Sequence, residues 1–223
     1  MMNYTKWNDP KTYERMTAEL AAYTVPETPI FAARDDEHIE HSRVQYCMTS
    51  VDELRELLDS VDYAIVEQVA CSKYLNSLQI FEYITLRGYD VDRPKLRKRI
   101  LKLMKYRVIQ ENEMVSTGAE HGLKYYELDY FGYQLALEQG VNFHMGNRYV
   151  SFSKRREKGM PDDTACDVKR ILVGNQIVLN LMMSNTQMQH FGIMETMRAT
   201  DLELAGSSCM IRTAATVKID NTS

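Results

Sequence analysis

The stretch Arg93-Pro94-Lys95-Leu96-Arg97-Lys98-Arg99-Ile100-Leu101-Lys102-Leu103-Met104-Lys105 decides how this chain is read. Asp92 precedes it as a helix cap, and Pro94 falls in the first turn, where its missing N–H costs nothing. At about 100° per residue, Leu96, Ile100, Leu103 and Met104 share an arc of about 100°. Lys95, Lys98, Arg99, Lys102 and Lys105 lie on the opposite side of the same wheel. Residues 93–107 hold 8 Lys and Arg and no acid. The spacing predicts a helix over 93–105 with one face for a core and one for a polyanion.

Upstream, Ser50-Val51-Asp52-Glu53 is a capping box followed by Leu54, Leu57 and Leu58, which predicts a helix over about 51–59. Ala64, Ile65, Val69 and Ala70 keep helical spacing between Asp62 and Cys71. The pattern restarts after Asn76-Ser77 with Leu78, Ile80, Phe81, Ile84 and Leu86, and Gly88 ends it. Residues 11–22 read as a further short helix stopped by Pro26 and Pro29. The polar run Arg34 to His41 reads as a loop within a solvated arm. Downstream, 108–114 and 123–128 alternate like two strands around a Gly-containing loop, which is a hairpin, and a helix from Tyr130 to Gln139 stops at Gly140. Beyond a charged linker at 154–163, Asp167 to Ser184 is an amphipathic helix, and 188–199 and 208–219 read as strands.

Charge agrees with this division. Residues 1–72 carry 6 basic and 14 acidic side chains (net −8), 73–124 carry 11 and 6 (net +5), and 125–223 carry 10 and 11 (net −1). In a chain of net charge −4 the positive field is local to the middle segment. With 44% hydrophobic residues, the 223-residue chain is an ordinary globular protein rather than a disordered one. No apolar run reaches a membrane span and the start lacks a signal-peptide core, so the expectation is a cytoplasmic protein with no membrane partner. Cys47, Cys71, Cys166 and Cys209 stand apart, as reduced thiols do.

The fold class expected is α+β, in three parts: an acidic N-terminal helical arm (1–48), a winged helix-turn-helix with a lead-in helix (49–147), and a small α/β segment (148–223). Three helices followed by a hairpin over about 62–129 is the order of a winged helix, whose third helix enters the major groove while the wing lies on the backbone. Arg93, Lys95, Lys98 and Arg99 are the candidates for base or near-base contacts. Lys102, Lys105, Arg107 and Lys124 are those for phosphates, and His121 sits at the tip of the wing. The partner expected is double-stranded DNA.

Lys73 to Phe81, Gly88, Leu96 to Leu103, Tyr106 to Ile109, and Tyr125-Tyr126-Glu127-Leu128 with Gly132 resemble the winged-helix domain of replication-relaxation-type proteins of bacterial plasmids and integrative elements. The resemblance covers about 60–140. It implies a non-enzymatic regulator of transcription or a replication accessory of a mobile element. Some members of that family continue into a nuclease-like domain, whose beginning is similar to Val168 to Ser184 and the strands after it; this sequence stops before such a domain would be complete.

Two alternatives stand beside DNA binding. One is a winged helix that docks protein; the other is a nuclease-like enzyme if the full-length chain continues past Ser223. Glu195, Asp201, Glu203 and Lys218 lack an E-x-K triplet, and His38, His41 and Cys47 lack a scaffold to gather them on a metal. No phosphate-binding glycine loop or nucleophile elbow is present, so no cofactor and no catalytic residue is assigned. The apolar band around helix 167–184 is wide enough for burial on two sides. By analogy with dimeric DNA binders it marks 167–199 as the expected self-association surface of a homodimer.

Overall fold

Each helix described in the structure starts at a residue whose side chain accepts a backbone N–H of the first turn. The computed structural model describes residues 36–42, 44–116, 122–141 and 164–184, together with the backbone of four strands between 188 and 219. Ser50 caps α1 (Val51–Leu57), Asp59 caps α2 (Ser60–Ser72) and Asn76 caps α3 (Ser77–Leu86). Asp92 caps α4 (Arg93–Lys105), Asp129 caps α5 (Tyr130–Glu138) and Thr164 caps α6 (Ala165–Met183). At α1, α2, α3 and α6 the side chain three residues on reaches back, closing a capping box. Gly88 (φ +87°) and Gly140 (φ +67°) take the left-handed conformation just past α3 and α5, where a Cβ would be strained. The helix expected over 11–22 and the linker at 154–163 lie outside the described residues.

The hairpin forms as expected. β2 (Ile109–Val115) and β3 (Leu123–Leu128) pair antiparallel from Ile109 opposite Leu128 to Met114 opposite Leu123. The outer edge of β3 is closed by a bridge to Leu75 from the turn between α2 and α3, with Tyr126 N–H donating to the Leu75 carbonyl at 2.8 Å. The reading of Arg34 to His41 as loop needs correcting. Residues His38–His41 form β1, antiparallel to β2, giving the order β1-β2-β3. This strand has one inward apolar residue, Ile39, and is held by main-chain pairing and by His41 Nδ1 at 2.6 Å from Asn112 Oδ1. Backbone bonds leave no periodic trace in a sequence.

The two faces of the sheet serve two cores. Ile109, Tyr126 and Leu128 face a main core filled by Leu54, Ile65, Val69, Ile80, Ile84, Leu96, Ile100 and Leu103. Met114 and Tyr125 face a second core with Tyr74, Val168, Ile171 and Leu172, so the first half of α6 covers the back of the hairpin. Asn175 Nδ2 donates to the carbonyls of Ser72 (3.1 Å) and Tyr74 (2.8 Å), and Gln79 Nε2 to that of Leu172 (2.7 Å). α5 crosses the start of β2 so closely that a Cβ on Gly132 would lie 1.9 Å from the Val108 carbonyl oxygen. Only glycine allows that approach.

The strands expected after residue 188 are present as two two-stranded sheets. β4 (Met188–Ile193) pairs with β7 (Ala215–Ile219), and β5 (Thr196–Arg198) with β6 (Met210–Arg212), both antiparallel. The sheet of β4 and β7 lies alongside α6. Much of the wide apolar band of α6 is thus met by the two cores, Val168, Ile171, Leu172 and Val178 in the second and Leu179 in the main one, with Ile177 left 46% exposed. The architecture is α+β.

Candidate nucleic-acid interface

α4 buries Leu96, Ile100, Leu103 and Met104, the arc that its spacing predicts. Its solvent face differs from the one read on the wheel. Arg93, Pro94, Lys95, Arg97, Lys98, Leu101 and Lys105 are exposed, whereas Arg99 and Lys102 are half-buried. The outward face is therefore turned by about 80° from the centre of the basic arc, toward Leu101 and Lys105.

The start of α2 causes that turn. Arg99 Nη1 lies 2.7 Å from both carboxylate oxygens of Asp59 and 2.9 Å from Asp62 Oδ1. Lys102 Nζ lies 2.8 Å from Asp62 Oδ2 and 2.9 Å from the Leu57 carbonyl. The Asp62 side chain is fully buried, and two cations are what a buried carboxylate needs to remain tolerable. Burial pushes the Asp59 carboxyl up, but the hydrogen bond from Arg99 and the backbone N–H groups of the α2 first turn outweigh it and hold it below the usual range. Arg99 and Lys102 fasten α4 to α2.

The other predicted residues divide similarly. Arg107, at φ 56°, reaches Asp129 at 3.5 Å and lies over the rings of Tyr46 (5.3 Å) and Tyr130 (5.7 Å). Lys124 Nζ is 3.0 Å from Glu111 Oε1, and that hydrogen bond raises its pKa. Burial would raise Glu111, but hydrogen bonds from Lys124, Tyr126 and Ser42 hold it low. Arg93 lies 5.6 Å over the Phe81 ring, and Lys95 pairs with Asp92 at 3.2 Å where both are largely exposed, a contact worth little. Among the described residues, Arg97, Lys98 and Lys105 make no ion pair. His121 lies outside the described residues.

Of the predicted residues, the structure keeps Lys98 and Lys105 on one exposed face, to which it adds Arg97 and Leu101, and leaves Arg93 and Lys95 exposed on either side of the first turn. Arg97 was within the count of cations but on neither arc of the wheel. No signal near it in the sequence would have separated it from Arg99, because the separation is made by Asp59 and Asp62. The hairpin offers less than its reading implied: α6 covers one face, and Glu111 and Glu113 neutralise Lys124 on the other.

No other chemistry gathers here. Among the described residues no three His, Cys, Asp or Glu side chains come together as a metal site. No described helix is long and apolar enough to cross a membrane. Neither a family model, nor a curated protein, nor a solved structure matches the chain.

Proposed function

We propose that the chain is a winged helix-turn-helix protein that binds double-stranded DNA by laying the exposed face of α4 in the major groove. The observation that carries this reading is the exposed face of Arg97, Lys98 and Lys105, with Arg93 and Lys95 exposed in the first turn, and no acid within the helix, in a chain of net charge −4. Each phosphate neutralised by such a face releases a condensed counterion, so duplex DNA repays the concentration of charge. The order α2, bridge residue Leu75, α3, α4, β2, β3 supports the winged-helix reading, because there the third helix and the hairpin lie side by side. A non-enzymatic role in transcription or in replication of a bacterial mobile element, in the cytoplasm and as a homodimer, belongs to the same proposal.

The test is a titration of the full chain against random-sequence duplex at several salt concentrations, wild type beside Lys98→Glu/Lys105→Glu. Both lysines are exposed and unpaired among the described residues, so the variant keeps the fold. We expect affinity to fall steeply with salt and the slope to decrease by about two in the variant. Salt-independent binding, or equal affinity of the two proteins, overturns the proposal. Lys102→Glu is unsuitable for this purpose, since it sets two carboxylates together at Asp62 and tests folding instead.

A further inference from the structure

The exposed face of α4 has an apolar centre. Leu101 is 48% exposed, and its neighbours one turn away on that face are Arg97, Lys98 and Lys105, all exposed. The residues on the far side of the helix are the core positions Leu96, Ile100 and Leu103, so Leu101 does not share their burial. It stands near the middle of the outward arc with cations above and below it.

Resting on the DNA reading above, we infer that Leu101 is a specificity-determining residue of α4 and recognises the C5-methyl group of thymine. When the flanking cations hold phosphates on the two groove walls, the residue at the centre of the arc faces the groove floor. On the floor of the major groove every base presents donors or acceptors, and thymine alone adds a projecting apolar group, its C5-methyl. Leu101 against guanine, cytosine or adenine edges would strip water from polar atoms and offer no hydrogen bond in return. Against thymine it buries apolar surface on apolar surface. Neighbouring Arg97 and Lys98 can make polar base contacts beside it, whereas Leu101 supplies an apolar one at the centre of the face, two turns beyond Pro94.

The experiment compares binding of the full chain to an alternating dA·dT duplex and to its dA·dU counterpart, which lacks only the methyl groups. Wild type, Leu101→Ala and Lys98→Glu/Lys105→Glu are measured on both. We expect wild type to prefer the thymine duplex by about fourfold, the factor of one methyl transferred from water. Leu101→Ala loses that preference and matches wild type on the uracil duplex. Equal wild-type affinity for the two duplexes, or an equal loss on both in Leu101→Ala, overturns the role of Leu101 while leaving DNA binding intact. Binding that Lys98→Glu/Lys105→Glu does not weaken on either duplex overturns the DNA reading itself, and the role of Leu101 with it.

Discussion

Glu82 is a buried acid between α6 and the start of α4, with Gln176 Nε2 at 3.4 Å and the Arg93 charge nearby. Burial raises its pKa, and the Gln176 hydrogen bond and Arg93 only partly offset the rise. The folded state therefore holds this proton more tightly than the unfolded chain does. The resulting penalty is full above the raised pKa and is relieved as pH falls through it. Glu82→Gln keeps the shape and removes the penalty. Its Tm should be higher than that of wild type by about 2 °C at pH 7, with the gap closing as pH falls toward the ordinary carboxylate range. Thermal denaturation followed by circular dichroism at a series of pH values checks this, and a gap that widens on acidification contradicts it.

At the scale of the element, α4 and the first turn of α2 form a unit in which half the basic face is already neutralised. Asp59 does two jobs there, capping α2 and holding Arg99. Asn caps a helix as well as Asp does, so Asp59→Asn removes the charge and keeps the cap. Arg99 is then held by Asp62 alone. Duplex affinity should rise severalfold and the salt dependence should steepen, while the urea midpoint changes little, because the Asp59 pair is half exposed. Unchanged affinity would mean that Asp62 suffices to keep Arg99 out of reach. The α4 boundaries, its cap and its buried arc were legible in the sequence, because each depends on residues within one or two turns. The identity of its free cations was not, because Arg99 answers to residues 37 and 40 positions upstream.

For the whole molecule, α6 is the element that joins the parts. It covers the back of the hairpin, is bonded to the end of α2 through Asn175, and supplies Lys169 to an ion pair with Glu37 just ahead of β1. Asn175→Ala removes the side-chain donor shared by the buried carbonyls of Ser72 and Tyr74. The expected cost is about 2 kcal/mol, read as a lower urea midpoint. Since α6 and the hairpin share a core, circular dichroism and tyrosine fluorescence should shift together in one transition. Separate transitions would show α6 to be an independent layer.

The sequence by itself determined what neighbours in the chain decide: the six described helices to within two or three residues at their ends, the two hairpin strands, the concentration of positive charge at 93–107, and the α+β class. Caps, glycine stops and periodicity act within a few residues, and their signals survive in one dimension. Only the tertiary structure decided that His38–His41 is a strand, that α6 covers the hairpin, and that Arg99, Lys102, Arg107 and Lys124 are held by carboxylates. Those outcomes rest on main-chain pairing and on charges brought together from distant positions, as with His41 and Asn112 across 71 residues. A lysine looks the same in sequence whether its partner is water or a buried aspartate, and folding makes the choice.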